Sequence, residues 1–171
     1  FWANPSYGID GDPGVYGSFQ WADLQFFMLD NRYHRTPNKC KTCDCTWLGE
    51  TQFQWLIDGL KASKAPFKFV CIGGQVISGE AKYETYINQC PAERKKLIDK
   101  IVAEKIEGVI FMDGDRHHTE LSKYTPTGFY PLYDLTVSPL TSGAHDTDPK
   151  VNKYYVDGTY VGKRNFGMLE V

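Results

Sequence analysis

Short apolar runs alternate with amphipathic helical segments up to residue 112, and only strand-like runs follow. Apolar side chains recur at helical spacing from Phe53 to Leu60, and a second apolar stripe covers residues 97–102. The runs 67–72 and 109–112 are too short for helices and are bounded by proline or glycine, which favours inner strands. The alternation predicts an α/β fold with a mixed sheet, or two sheets, and helices on the outside.

Further strands are predicted towards both ends of the chain, which has no internal repeat and no low-complexity tract. Apolar and aromatic runs bounded by turn residues indicate strands at 16–20, 24–29, 130–137, 154–156, 159–161 and 166–171. The first two form a predicted hairpin, and Asp157 with Gly158 forms the predicted turn of another.

Three apolar strands end in polar or glycine-rich segments, at residues 30–32, 73–75 and 113–118. Ligands of open α/β sheets bind beyond the carboxyl ends of the strands. If these strands run parallel, the three segments meet at one edge of the sheet.

The segment 113–118 carries the chemistry, because Asp115 and His117 lie two residues apart on a loop that leaves a buried strand. A carboxylate and an imidazole at this spacing can both face a metal ion. Arg116 and His118 can place positive or proton-donating groups beside a phosphoryl oxygen. A solvated loop whose charged side chains pair with one another is the alternative.

Composition excludes several classes of protein. A net charge of -2 over 171 residues gives no basic field for a nucleic-acid backbone. No apolar stretch approaches the ~20 residues of a membrane span. The first residues carry no charged leader, so we expect a targeting segment to be absent or removed.

The five cysteines are an odd number, so at least one thiol stays unpaired within the chain. Cys40, Cys43 and Cys45 lie close together and leave three interpretations open. A disulfide between two of them suits an oxidising compartment, a zinc site would recruit His34, and free thiols are the third case. A zinc or disulfide module would make the chain a non-catalytic binding or structural protein.

Five segments, in order, resemble the PhoD-like (alkaline phosphatase D) metallophosphoesterase family. The segment VIFMDGDRHHTELS at residues 109–122 is similar to the family segment that replaces the paired motif histidines of calcineurin-like enzymes. Residues 16–35, 48–69, 131–143 and 165–167 resemble four other blocks of the family. Two departures occur, since Asp113 replaces the usual Ser and His118 replaces a common aromatic residue. The extra carboxylate either alters metal preference or faces solvent.

The resemblance implies a calcineurin-like β-sandwich flanked by helices and a phosphoester hydrolase whose two-metal centre activates water. It implies Asp115 and His117 as metal ligands, with Gln75 as a weaker candidate after an inner strand. Iron and calcium are the implied metals, while zinc or manganese suits the ligand types. Arg32 lies in a block whose guanidinium suits either a substrate phosphate or an ion pair with Asp30.

The early metal-binding motifs of the superfamily do not occur in this sequence. Residues 1–171 are therefore expected to be the carboxyl-terminal half of the catalytic domain, inactive without an amino-terminal half that supplies the remaining ligands. The expected substrate is a small phosphoester. A periplasmic or secreted location is expected from the resemblance and the cysteine cluster.

Overall fold

The computed structural model describes residues 7–38 and 44–171 and contains one six-stranded mixed sheet in the order β1-β2-β3-β4-β6-β5. The strands are β1 (Gly17–Trp21), β2 (Leu24–Met28), β3 (Phe67–Cys71), β4 (Val109–Asp113), β5 (Glu120–Tyr124) and β6 (Leu132–Thr136). The helices are α1 (Glu50–Ala62), α2 (Tyr86–Gln89) and α3 (Pro91–Ala103), with a 3-10 turn at Pro149–Val151. The predicted α/β class and mixed sheet are confirmed.

The direction of the strands sets the position of the site. β2, β3, β4 and β6 are mutually parallel, while β1 and β5 run antiparallel at the two edges. The four parallel strands therefore end at the same edge of the sheet, as the polar segments require. The predicted first hairpin is confirmed by the antiparallel pairing of β1 with β2.

One face of the sheet is covered by α1 and α3. The apolar stripe of α1, Phe53 to Leu60, is buried, as the helical spacing predicts. Gly59 makes the contact close, because a Cβ there would lie 2.6 Å from the Phe27 ring. Burying a side chain such as Leu56 stabilises the fold by about 1.5–3 kcal/mol, so this face anchors the domain.

The opposite face of the sheet is apolar and exposed at the β1 edge, although Phe69 in β3 is buried. Phe19, Phe26 and Phe69 stack across β1, β2 and β3 at centroid distances of 4.8 and 5.3 Å. Phe19 is 48% exposed and the neighbouring Trp21 is 74% exposed. The second sheet of the expected sandwich is not found among the described residues.

Three strand predictions near the carboxyl terminus, a hairpin at 154–161 and a last strand at 166–171, are wrong. Tyr155 and Val161 do not pair with each other. Tyr155 forms an isolated bridge to Ser122 in β5, and Val161 forms one to Thr119, directly before β5. The segment 166–171 forms no strand and is exposed, with Met168 at 85%. β5, which the sequence analysis did not predict, occupies the edge next to β6.

The structure corrects the interpretation of the cysteine cluster. Cys45 forms a disulfide with Cys90, which lies 45 residues away, rather than with a neighbour in the cluster. This bond leaves Cys45 unable to bind zinc, and His34 instead hydrogen bonds through Nε2 to the Pro13 carbonyl. Cys40 and Cys43 lie outside the described residues. In the described part of the chain no helix has the length and apolar character to cross a membrane.

Candidate metal and phosphate site

The three polar segments meet at the carboxyl edge of the parallel strands. The segment after β2 approaches the segment after β3 so closely that a Cβ on Gly73 would lie 2.8 Å from Asn31 Oδ1. The segment after β4 reaches the same place, because the Arg116 guanidinium donates to Gln75 Oε1. The predicted convergence is confirmed.

Side chains of the loop after β4 alternate between more exposed and buried positions. Asp115 is exposed and His117 is half-buried, whereas Arg116 and His118 are 8% and 2% exposed. Asp115 and His117 adopt left-handed backbone conformations, with φ of 64° and 61°. Such conformations cost roughly 1 kcal/mol or more each in residues with a Cβ, so surrounding contacts must hold the loop.

The principal holding contact is made by Arg116. Its Nη2 donates to Glu80 Oε2 at 2.5 Å in an ion pair whose side chains are 6% and 8% exposed. Its Nη1 donates to Gln75 Oε1, and the guanidinium lies 5.2 Å from the centroid of the Tyr83 ring. Arg116 therefore anchors the loop through buried contacts, and it lines the cavity together with its two neighbours.

His117 has the hydrogen bond expected of a ligand histidine. Its Nδ1 hydrogen bonds to the Gly143 carbonyl, and a carbonyl can only accept, so Nδ1 carries the proton. The neutral imidazole then keeps its lone pair on Nε2. Metal-binding histidines commonly donate their other ring N–H to a carbonyl or carboxylate in this way.

Gln75 is fully buried in a polar network and donates from Nε2 to Glu120 Oε1 at 2.5 Å and to Thr136 Oγ1 at 2.9 Å. His118 Nε2 lies 3.7 Å from Glu120 Oε2, beyond hydrogen-bonding distance. Burial alone would raise the pKa of Glu120, but the adjacent His118 and the amide donors of Gln75 and Asn152 outweigh it and lower the pKa. Glu120 is therefore a stable carboxylate under the loop.

Asp113, at the end of β4, does not face solvent, since it is only 9% exposed. Burial raises the pKa of Asp113 well above its usual range, and the neighbouring carboxyl group of Asp134 raises it further. Asp134 Oδ2 accepts hydrogen bonds from the backbone N–H groups of Val76 and Ile77 at 2.8 and 2.6 Å. The Asp134 carboxyl group of β6 thus holds the segment that follows β3, with Asp113 of β4 buried beside it.

Arg32 lies at the rim, with its side chain 60% exposed, and pairs with Glu84 Oε2 at 2.7 Å rather than with Asp30. The expected Arg32–Asp30 ion pair is wrong, because Asp30 Oδ1 instead accepts the backbone N–H groups of Arg32 and Tyr33. Arg35 also pairs with Glu84, at 3.0 Å. Hydrogen bonding from Arg35 lowers the pKa of Glu84 to about 2.

A cavity of about 330 Å³ lies above the loop. It is lined by Tyr83, Asp115, Arg116, His117, His118, His145, Asp146 and Thr147. A larger cavity of about 650 Å³ runs along α1 beside Ile9 and Trp55, away from these residues. The cavity above the loop brings Asp115 and His117 to one shared space, as a joint site requires.

The donor types at the cavity suit a metal ion only in part. The Asp115 carboxylate and His117 Nε2 are suitable ligands on the cavity wall. Across residues 7–38 and 44–171, however, no group of three or more His, Cys, Asp or Glu side chains can hold a metal ion. Gln75 is committed to Arg116, Glu120 and Thr136.

Sequence reasoning missed several residues of the site. Glu80, Tyr83, His145 and Asp146 lie in segments without a recognisable motif. Only their residue types could have indicated them. Charged and aromatic residues in irregular segments are too common at protein surfaces to be recognised as part of a site.

Comparison with known proteins identifies the family. The chain is similar to a solved structure described as "Structure of PhoD", with a TM-score of 0.76 and 19% sequence identity over 91% of this chain and 35% of that chain. At this identity the likeness shows a common fold, and the chain spans only 35% of that structure. No curated protein sequence matches the chain. The family described as PhoD-like phosphatase matches residues 4–167, and the chain therefore belongs to the PhoD-like phosphatase family.

Proposed function

We propose that this chain supplies one side of the active site of a metal-dependent phosphoester hydrolase. Membership of the PhoD-like phosphatase family supports phosphoester hydrolysis. The observation that carries the metal proposal is the His117 imidazole, which donates from Nδ1 to Gly143 and keeps Nε2 for a ligand in the cavity that Asp115 also lines.

In this proposal Asp115 and His117 hold one side of a metal centre. Calcium and iron are the proposed metals, with zinc or manganese as alternatives by ligand type. A bound metal would supply Lewis acidity and lower the pKa of a coordinated water. Gln75 is retained as a weaker ligand candidate, and its hydrogen bond to Arg116 favours a role in orienting that side chain.

The chain's own residues act on the substrate side. We propose that Arg116 and His118 lie beside the phosphoryl group, where positive or proton-donating groups stabilise developing charge. The buried Glu80 contact fixes Arg116 before substrate binds, so little reorganisation is needed. Arg32, exposed at the rim, binds an outer part of the substrate when it releases Glu84.

We propose that the remaining ligands come from an amino-terminal half of the same domain. Two observations support this partner: the chain spans only 35% of the similar solved structure, and the open sheet face exposes Phe19 and Trp21. An apolar sheet face of this kind is normally covered by a second layer. A periplasmic or secreted location is also proposed, and the Cys45–Cys90 disulfide supports an oxidising compartment.

The proposal is tested by p-nitrophenyl phosphate hydrolysis and elemental analysis, with the chain alone and combined with the amino-terminal half. We expect turnover and bound metal only in the combination. His117→Ala in the combined protein should lower metal affinity about 10–100-fold or more and reduce turnover accordingly. Asp99→Asn, at an exposed position of α3, is the control. Full turnover by the chain alone, or metal retention by His117→Ala, would contradict the proposal.

A further inference from the structure

His145 lines the cavity and belongs to a segment without a recognisable sequence motif. Its ring is in direct contact with His117. The two imidazole rings stack with centroids 4.5 Å apart and planes inclined by 24°. The His145 backbone N–H also donates to the His117 carbonyl at 2.8 Å. His145 is therefore tied to the candidate ligand by both its ring and its backbone.

The segment that carries His145 is irregular but anchored on both sides. Arg164 Nε donates to the carbonyls of Thr141 and Ser142 at 3.1 and 3.0 Å. On the other side, the Tyr160 hydroxyl donates to Asp146 Oδ1 at 3.1 Å and accepts the Thr147 backbone N–H at 2.8 Å. An exposed segment with this many hydrogen bonds is preorganised, so the position of the His145 ring is built into the fold.

An anionic phosphoester in this cavity needs hydrogen-bond donors, and several lining donors are already committed. Arg116 donates to Gln75 and Glu80, and His117 Nδ1 donates to Gly143. Among the described residues, the His145 ring nitrogens make no hydrogen bond to protein. A neutral imidazole always carries one N–H, so this donor is available without a change of protonation.

We propose that His145 is a substrate-contacting residue that donates a ring N–H hydrogen bond to a non-bridging oxygen of the bound phosphoester. The inference rests on the proposed function and extends it. The stack on His117 sets the ring beside the candidate metal ligand, on the wall of the cavity proposed to bind the ester. Asp146, fixed next to it by Tyr160, adds negative charge to the same wall. The His145 N–H thus adds a hydrogen-bond donor to a cavity that Arg116 also lines.

Two substitutions separate the hydrogen bond from the ring stack in the complete PhoD-like domain. His145→Phe keeps an aromatic ring and removes both nitrogens, whereas His145→Gln keeps an N–H donor and removes the stack. We measure the dissociation constant of orthophosphate by calorimetry and KM for p-nitrophenyl phosphate. We expect His145→Phe to raise both constants by about tenfold or more, because it removes one hydrogen bond to a charged group. For His145→Gln both constants should stay within about threefold of those of the unmodified protein.

Leu140→Ala is the matched control, because Leu140 is 70% exposed in the adjoining segment and does not line the cavity. Circular dichroism of every variant checks the fold. Unchanged orthophosphate binding in His145→Phe overturns the inference. Weaker orthophosphate binding in His145→Gln, with unchanged binding in His145→Phe, also overturns it, because it would assign the effect to stacking. If the unmodified domain neither binds orthophosphate nor hydrolyses the ester, the proposed function fails and this inference falls with it.

Discussion

The buried ion pair between Arg116 and Glu80 supports a quantitative prediction. Both side chains are nearly excluded from water, at 6% and 8% exposure, and the charged atoms are 2.5 Å apart. Glu80→Gln changes the charge with little change in volume, so it leaves the Arg116 guanidinium buried without an anionic partner. Breaking a buried pair in this way typically costs about 3–5 kcal/mol.

We expect the lower end of this range for Glu80→Gln. Gln75 and the Tyr83 ring remain as partners of Arg116, and the new amide oxygen can still accept a hydrogen bond. A loss of about 3 kcal/mol in the free energy of unfolding, divided by a urea slope of roughly 2 kcal/mol/M, lowers the midpoint of urea unfolding by about 1.5 M.

The assay is urea unfolding followed by tryptophan fluorescence and circular dichroism. Asp99→Asn is the matched control, since the Lys95–Asp99 pair has the same 2.5 Å separation but side chains 75% and 59% exposed. Such exposed pairs contribute about 0–1 kcal/mol, so the control midpoint should barely move. A double variant that adds Arg116→Met to Glu80→Gln also removes the unpaired buried charge. Its loss in the free energy of unfolding should be smaller than the sum of the losses in the two single variants by roughly 1–3 kcal/mol. Equal losses for Glu80→Gln and Asp99→Asn would refute the reasoning, because they would mean that the pair is accessible to water.

Two further predictions concern the disulfide and pH. Replacing Cys45 and Cys90 together by Ser removes a covalent link between residues 45 apart in sequence. We expect a loss of about 2–5 kcal/mol in the free energy of unfolding, measured by urea unfolding. If reduction of the unmodified chain leaves this free energy unchanged, the bond is not formed in solution. The pKa of Glu84 is lowered to about 2 in the folded chain from an ordinary value of 4.5, so its contribution to stability is present above pH 4.5 and is lost as pH falls towards 2. Acid titrations of unfolding should show a smaller decline over this interval in Glu84→Gln than in the unmodified chain, and identical declines would exclude the effect.

Local patterns in the sequence determined the elements that carry the site. The apolar stripe from Phe53 to Leu60 and the short runs 67–72 and 109–112 identified helix and inner strands, because periodicity is a property of adjacent residues. These two runs and the run 24–29 located three polar segments at strand ends, and parallel pairing brought them to one edge. Strand prediction failed at 154–161, where the backbone pairs with β5 and with Thr119 rather than with itself.

The tertiary structure alone decided which partners each polar residue of the candidate site contacts. Arg116 pairs with Glu80 36 residues earlier, His117 hydrogen bonds to Gly143 26 residues later, and Cys45 bonds to Cys90 rather than to its near neighbours. The sequence therefore indicated Asp115 and His117 as candidates by type and spacing, but it could not distinguish the buried anchor at Arg116 from a solvated charge or place His145 in the same cavity. The physical reason is that a side chain's hydrogen-bond partners and burial depend on segments distant in sequence, which only chain packing brings together.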